Sequence, residues 1–306
     1  MAEAIPVGDG HILDPITSTE DFFILSRYKG PKIDSEKWCL EIGGLVDNPL
    51  RLSLEDLKAS YSQVSVVATL ECVINKVGGD LVGTATWTGV PLMDVLSEVG
   101  IDAGAEELHL KGEDGVDRAY PLTDFLETPS LLAYEMNGKP LTIGHGFPLR
   151  LVVPGTYGFK WRRWLKAMIA IKEKDADIKW HEWKELVRLE KIALTTKILR
   201  PHKDEIIANS PFIVAGASWG GESKIRTVEV SFDGCETWDP ARIVWRPPDP
   251  NAWVLWAFSW NPQHNGHYVV TAKAIDVKGR VQISDGREDH PSGLAPLHEV
   301  GVLVHR

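Results

Sequence analysis

The sequence contains few cysteines and no long apolar run, and each absence excludes a class of protein. Cys39, Cys72 and Cys235 are too widely spaced for a disulfide framework or a CxxC zinc site. No apolar stretch approaches the roughly 20 residues that cross a bilayer, so we expect no membrane span. The first ten residues lack the basic and apolar segments of a signal peptide. We therefore expect a cytoplasmic protein; the alternative is a periplasmic protein from which a signal has been removed.

Positive charge is also scarce. The 306 residues include 33 Lys and Arg against 43 Asp and Glu, which gives a net charge of −10. Nucleic-acid binding needs a basic surface, so we expect no nucleic-acid partner. Hydrophobic residues at 43% and charged residues at 25% are typical of a globular chain and argue against disorder.

Before about residue 197, the sequence mixes strand and helix patterns. The β-branched run VSVVATLE predicts a buried strand that ends beside Cys72 and is followed by the turn NKVGGD. Ser53 and Asp56 have the spacing of a capping box, which predicts that a helix begins after Ser53. The apolar spacing of PLMDVLSEVG predicts a second helix that ends at Gly100. Residues 175–191 fit either a helix or an irregular connector.

After about residue 197, the pattern changes to short strands separated by turns. Asp233-Gly234 and Asn265-Gly266 are dipeptides typical of hairpins. Short strands at this spacing predict a β-sandwich of about 100 residues. The strand patterns cover 212–218, 225–232, 236–245, 252–260, 267–276 and 299–304. We therefore predict two domains, residues 1–197 and residues 198–306.

Cys72 is a candidate functional residue because it lies where a buried strand meets a glycine-rich loop. Loops at strand ends commonly carry functional groups. A thiolate at this position is suited to act as a nucleophile or as a ligand for a soft transition metal. The alternative is an inert structural thiol, which is the more common role of a free cysteine.

The segment from His145 to Lys166 is a basic island in an acidic chain. It contains no carboxylate and five cations, namely Arg150, Lys160, Arg162, Arg163 and Lys166. Arginine suits bidentate phosphate contacts, so the segment predicts an anion site. The alternative is a solvated basic strand that pairs with acidic neighbours. No P-loop, GxGxxG, GxSxG or HExxH motif accompanies the segment.

Four stretches, in order along the chain, resemble the sulfite oxidase-like molybdopterin oxidoreductases. Together they extend over about residues 15–285, nearly the whole chain. They are TSTEDFF; TLECVINKVGGD followed by TWTGVPLMDVL; LLAYEMNGKPLTIGHGFPLRLVVPG followed by YGFKWRRWLKAMI; and VEVSFDGCETWDPA followed by WAFSW and AKAIDVKGRVQ.

The resemblance implies one molybdenum–molybdopterin cofactor per chain, with Cys72 as the ligand of the metal. It also implies a set of cofactor-binding residues. Phe23 and Ile24 would contact the pterin, and His145 and Arg150 would also bind it. Trp161, Arg162 and Arg163 would surround the phosphate, and Asp114 completes the set. Lys160 is added to this set on its charge alone.

The same resemblance implies the fold, the reaction and the partners. The fold is α+β: a sulfite oxidase-type molybdopterin domain followed by an immunoglobulin-like all-β sandwich, through which two chains form a homodimer. The reaction is two-electron oxygen-atom transfer on a small substrate. The haem domain of some family members is absent from this sequence. We therefore expect a separate protein to donate or accept the electrons.

The substrate pocket departs from that of the sulfite oxidases. Leu25 and Val77 occupy positions where those enzymes place arginines around the anion. Charge-assisted hydrogen bonds contribute about 1.5–3 kcal/mol each, so their loss weakens the binding of a dianion. We expect a substrate other than sulfite. The alternatives are reduction of a neutral oxo compound such as a sulfoxide, and a non-catalytic binding module on the β-sandwich; the retained Cys72 argues against the latter.

Overall fold

The fold is mainly β. The structure is a computed structural model that describes residues 5–8, 11–26, 30–126, 128–172, 191–221, 223–282 and 296–305. Within these ranges strands predominate, and the three α-helices are short. Segment 175–190, for which the sequence fits a helix or a connector, lies outside the described residues. No helix in the described ranges has the length and apolar character needed to cross a membrane.

The chain divides into two compact units that alternate along the sequence. The first unit comprises residues 1–17, 67–84 and 191–306, and the second comprises residues 18–66 and 85–190. The predicted domain boundary near residue 197 stays a prediction. The first unit contains, besides the C-terminal part, the short segment that carries Cys72.

The second unit contains one complete five-stranded sheet and the helices. Its elements are β3 (Leu40–Gly44), β4 (Leu50–Leu52), α1 (Leu54–Ser60), α2 (Leu92–Val99), β7 (Glu107–Gly112), β8 (Asp117–Pro121), α3 (Thr123–Leu126), β9 (Leu131–Met136), β10 (Lys139–Pro140), β11 (Arg150–Val152) and β12 (Leu165–Ile171), with a 3-10 helix at Ile143–His145. The sheet has the order β4-β3-β12-β7-β8, and β3 and β12 are parallel.

Two strands contain the points at which the chain passes between the units. They are β5 (Val64–Glu71) and β6 (Val82–Pro91). They belong to a second five-stranded sheet, in which the order is β10-β9-β6-β5 and β11 also pairs with β9. Strand β5 confirms the predicted strand that ends beside Cys72, and its second half, residues 68–71, is buried.

Local signals determine the ends of both longer helices, as predicted. Asp56 N donates to Ser53 Oγ over 3.1 Å, and Ser53 N donates to Asp56 Oδ2 over 2.9 Å, which completes the capping box of α1. Helix α2 ends at Gly100, whose φ of 64° lies in the region that favours glycine. Both predictions are confirmed because the deciding groups are close in sequence.

The first unit is mainly β, and most of its buried apolar side chains form one large cluster. Its strands are β1 (Ile5–Gly8), β2 (His11–Leu13), β13 (Thr195–Arg200), β14 (Glu205–Ala208), β15 (Phe212–Trp219), β16 (Ile225–Ser231), β17 (Asp239–Trp245), β18 (Val254–Trp260), β19 (Gly266–Asp276) and β20 (His298–His305). The eight strands from β13 onward have the order β13-β15-β18-β17-β16-β19-β20-β14. Val214, Trp256, Val228 and Val302 come from four strands spread along this order, namely β15, β18, β16 and β20, and share this cluster.

The six strands predicted after residue 197 are all present, whereas β13 and β14 were not predicted. The hairpin β1–β2 was also missed, because residues 1–20 show little periodicity. Val7 of this hairpin packs with Ala215 and Ala257 on the other face of β15 and β18.

Candidate functional site

Cys72 is the first residue after β5, and it opens a compact loop. Its N–H donates to Leu81 O over 2.9 Å, and Asn75 N donates to Cys72 O over 2.8 Å. We call residues 72–81 the cysteine loop. Burial raises the pKa of the Cys72 thiol, the charge of Glu71 raises it further, and a hydrogen bond with the Ile74 backbone opposes both. A free nucleophilic thiolate is therefore disfavoured, whereas a soft metal can displace the proton.

A buried carboxyl group precedes Cys72. Glu71 accepts hydrogen bonds from Trp219 Nε1 over 2.9 Å and from Asn75 Nδ2 over 3.0 Å. Burial raises the pKa of Glu71 to about 7 in spite of these two hydrogen bonds, which lower it. Asn75 Oδ1 in turn accepts from Leu81 N over 3.0 Å, at the end of the cysteine loop.

The basic island lies in the second unit, and three of its five cations have carboxylate partners. These three have the acidic neighbours of the alternative interpretation, but only Lys166 lies in a strand, and Lys160 and Arg162 are not solvated. The pairs are Arg162 with Asp114, Lys160 with Asp124 at 2.6 Å, and Lys166 with Glu113 at 3.7 Å. Lys160 is only 1% exposed, and its ion pair with Asp124 accounts for this burial.

The other two cations, Arg150 and Arg163, donate to backbone carbonyl groups. Arg150 Nη1 donates to His145 O over 3.0 Å. Arg163 Nη1 donates to Gly144 O over 2.8 Å, and its Nη2 donates to Leu25 O over 2.7 Å. Among the described residues, no carboxylate forms an ion pair with either guanidinium group. We call these two side chains the arginine pair.

Arg150 is buried among aromatic rings. Its guanidinium carbon lies 4.7 Å from the centre of the Trp87 ring and 5.8 Å from that of Trp161. Burial, together with the smaller effect of the Arg163 charge, lowers the pKa of Arg150 to about 9. Its Nε is buried and has no hydrogen-bond partner in the described part of the chain. A buried charge without a partner of opposite charge costs several kcal/mol, so the site fits a bound anion.

Gly146 lets the two arginines lie side by side. Its φ is 109°, and a Cβ atom there would lie 3.1 Å from the Cβ atoms of both Arg150 and Arg163. A similar close approach occurs at Gly112, where a Cβ would collide with the Arg162 guanidinium group. Arg162 Nε is, like Arg150 Nε, buried without a partner among the described residues. These orphaned donors fit the phosphate of a cofactor.

His145 ends the 3-10 helix and is held as a neutral ring. Its Nε2 lies 3.1 Å from Thr19 O, and because a carbonyl oxygen only accepts, Nε2 carries the proton. Burial lowers the pKa of His145, and the charges of Arg150 and Arg163 lower it further. The ring packs edge-on against Phe22, with centroids 5.7 Å apart.

The N-terminal segment reaches the same region of the second unit. Phe23 stacks on Phe22, with centroids 5.5 Å apart. Ile24 is 55% exposed, and Gly144 leaves the room that its side chain occupies. The structure thus brings together Phe23, Ile24, His145 and the arginine pair, from segments more than a hundred residues apart in sequence.

Comparison with known proteins identifies the family. A family model described as the oxidoreductase molybdopterin binding domain matches residues 27–180, which is half of the chain. The chain belongs to the sulfite oxidase-like molybdopterin oxidoreductases. Its cofactor is accordingly molybdenum–molybdopterin, and the chain is an oxidoreductase.

Relatives in this family carry different names. Sulfite oxidase of Gallus gallus is 26% identical over 94% of this chain and 71% of its own length. Mitochondrial sulfite oxidase of Homo sapiens is 29% identical, again over 94% of this chain, and the match spans 60% of that enzyme. An NADH nitrate reductase of Petunia hybrida is 27% identical over 86% of this chain but only 35% of its own length.

A solved structure supports the fold of the family. The sulfane dehydrogenase SoxCD of Paracoccus pantotrophus superposes with a TM-score of 0.78 and 21% identity, and the match covers 94% of this chain and 84% of that chain. Because the relatives are named for different substrates, membership in the family leaves the substrate open.

The ten predicted site residues divide between the units. Cys72 lies in the first unit, and the other nine lie in the second. Within the described ranges, no three His, Cys, Asp or Glu side chains group closely enough to hold a metal ion. Trp87 and Glu71 were missed, because a strand pattern marks them as buried and gives no sign of which side chain they contact.

Proposed function

We propose that this molybdopterin oxidoreductase transfers an oxygen atom, with two electrons, to or from a small substrate. The observation that supports this proposal most directly is the arginine pair, in which Arg150 is buried and neither guanidinium group has a carboxylate partner among the described residues; the pair therefore suits the cofactor phosphate. When bound, the molybdenum supplies the redox change and the oxygen transfer. The protein binds and orients the cofactor and shapes the pocket.

The residues that would hold the cofactor have distinct tasks. Cys72 would bind the metal through its thiolate. Arg162 and Arg163, beside the buried ring of Trp161, would bind the phosphate, and Arg150, which packs against the Trp87 and Trp161 rings, would bind the same anion. Neutral His145 would offer Nδ1 as an acceptor, since its Nε2 proton is used by Thr19 O. The remaining residues of the proposed set are Phe23, Ile24, Asp114 and Lys160.

The experiment that tests this proposal is metal and pterin analysis of the purified protein. We expect about one molybdenum and one molybdopterin per chain. Cys72→Ser should abolish turnover and leave the pterin largely bound, because the phosphate contacts remain. Absence of molybdenum in the wild-type protein would instead support a non-catalytic binding module.

A neutral oxo compound, such as a sulfoxide, is the second candidate substrate. Leu25 is 46% exposed and Val77 is 38% exposed, so both positions present apolar surface where the resemblance places arginines. A neutral substrate needs no guanidinium group, and exposed apolar side chains suit its carbon substituents.

Leu25→Arg tests the charge of the pocket. Its backbone oxygen, which accepts from Arg163, is unchanged by the substitution. We expect kcat/KM for sulfite to rise about tenfold or more, because one charge-assisted bond contributes about 1.5–3 kcal/mol. Leu25→Gln is the matched uncharged control. Equal changes for sulfite and a sulfoxide would contradict a role of charge at residue 25.

The partners and location of the enzyme are further proposals that rest on the resemblance. We infer that a separate protein donates or accepts the electrons, and that the C-terminal immunoglobulin-like sandwich forms a homodimer. Sedimentation tests the dimer, since a mass of 34.0 kDa would be that of one chain. We infer a cytoplasmic location, which cell fractionation tests against the periplasmic alternative.

A further inference from the structure

The cysteine loop is fixed by side chains from the C-terminal part of the first unit. Trp219 of β15 donates to Glu71, the residue before Cys72, over 2.9 Å. Trp219 is 2% exposed, and Glu71 is 6% exposed, so water does not compete for this hydrogen bond. Through Asn75, the same carboxyl group is connected to Leu81 at the far end of the loop.

A second contact fixes the glycine turn within the loop. Lys197 of β13 donates through Nζ to Gly79 O over 2.9 Å and to Asp80 Oδ1 over 2.6 Å. The Lys197 side chain is 15% exposed, whereas that of Asp80 is 97% exposed. The contact to the backbone carbonyl is thus the more protected of the two and holds the turn in place.

The third contact is steric. Gly78 has a φ of 68°, and a Cβ atom there would collide with the His298 ring of β20. The ring is itself fixed, because Ile198 N donates to His298 Nδ1 over 2.9 Å. The imidazole therefore packs directly on the backbone of the turn.

The strand that leads to Cys72 is held in the same way. Thr69 N donates to Asn251 O over 3.0 Å, and Trp253 N donates to Thr69 Oγ1 over 2.8 Å. Segment 67–81 therefore takes its hydrogen bonds from residues between 197 and 298, and not only from its neighbours in sequence. No catalytic task proposed above uses these side chains.

We propose that Trp219, Lys197 and His298 are positioning residues that hold the cysteine loop in the geometry that Cys72 needs to bind molybdenum. This inference rests on the proposed function, because it takes Cys72 as the metal ligand. It gives the C-terminal sandwich a task at the metal centre in addition to dimer formation. The three side chains act through the loop and do not themselves contact the metal.

The test measures Cys72 directly in cofactor-free protein. N-Ethylmaleimide alkylates the thiol, and peptide mapping separates Cys72 from Cys39 and Cys235. We expect Lys197→Met and Trp219→Phe each to increase the alkylation rate of Cys72 by about tenfold, and to accelerate amide hydrogen exchange across residues 72–81. Lys197→Arg, which keeps a donor, should restore a rate close to that of the wild type.

Matched controls separate positioning from general loss of stability. Lys273→Met removes a lysine that pairs with Glu229 over 3.1 Å, and Trp238→Phe removes a donor to Cys235 O. Neither residue contacts the cysteine loop in the described structure. Alkylation rates in Lys197→Met and Trp219→Phe that equal those of these controls would overturn the proposal. If Trp219→Phe fails to fold, the alkylation rate of Lys197→Met alone tests the proposal, because the Lys197 side chain lies at the edge of the core.

The proposed function is tested separately in the loaded wild-type protein. Bound molybdenum should protect Cys72 from alkylation, and an unprotected thiol in loaded protein would refute the ligand assignment whatever the variants show. In loaded variants, the thiolate-to-metal absorption should shift relative to the Lys273→Met and Trp238→Phe controls. An unshifted spectrum would count against positioning.

Discussion

Individual charges are the clearest evidence for a ligand at the residue scale. The sequence could predict that the basic island binds an anion, but it could not rank the five cations. In the structure, Asp114, Asp124 and Glu113 neutralise three of them, and the arginine pair remains. The distinction depends on carboxylates that lie tens of residues away in sequence, so no local pattern contains it.

Arg150→Met tests the role of the arginine pair. The substitution removes a buried charge without a carboxylate partner, so we expect the stability of the cofactor-free protein to be unchanged or higher. Cofactor retention should fall about tenfold or more, because a charge-assisted hydrogen bond contributes about 1.5–3 kcal/mol. Thermal unfolding measures the stability of the cofactor-free protein. The fluorescence of the oxidised pterin measures how much cofactor is retained after dialysis.

The control for Arg150→Met is Arg51→Met. Arg51 is 68% exposed and lies 3.7 Å from Glu41, so its loss should change neither quantity. A variant at residue 150 that unfolds more easily and still retains the cofactor would show that Arg150 is structural.

At the scale of elements, sequence signals were most reliable where the deciding groups are neighbours. The capping box at Ser53 and the glycine at residue 100 determine the ends of α1 and α2 within one turn of helix. Strands β13 and β14 were missed because their short runs mix polar and apolar residues without clear alternation. The hydrogen bond between Trp219 and Glu71 joins residues 148 apart, which no pattern in a short window predicts.

Helix α3 is joined to the basic island by the ion pair between Asp124 and Lys160. We expect Lys160→Met to lower the free energy of unfolding by about 3–5 kcal/mol, because Asp124, whose side chain is only 14% exposed, would lose the partner of its charge. The double variant Lys160→Met/Asp124→Leu should recover most of the lost free energy of unfolding. Denaturant unfolding measures both variants.

A loss of less than about 1 kcal/mol in Lys160→Met would contradict this account of the pair, because exposed ion pairs have effects of that size. The assignment of Lys160 to the cofactor stays a prediction, and cofactor retention in the double variant tests it independently of stability.

At the scale of the whole molecule, the sequence predicted the mainly β C-terminal part and the family, and it missed the interleaving of the units. The composition changes near residue 197, but residues 67–84 belong to the same compact unit as residues 191–306. The composition gives no signal for this return of the chain, and the boundary near residue 197 stays a prediction. Cys72 lies within segment 67–84, which is why side chains of the C-terminal part can position it.

The central claim is that Cys72 binds the molybdenum of the cofactor. X-ray absorption at the molybdenum edge counts the sulfur neighbours of the metal in the loaded enzyme. We predict that Cys72→Ser removes one sulfur neighbour and leaves those of the pterin dithiolene, whereas Cys39→Ser and Cys235→Ser leave the sulfur shell unchanged. An unchanged sulfur shell in Cys72→Ser would contradict the claim.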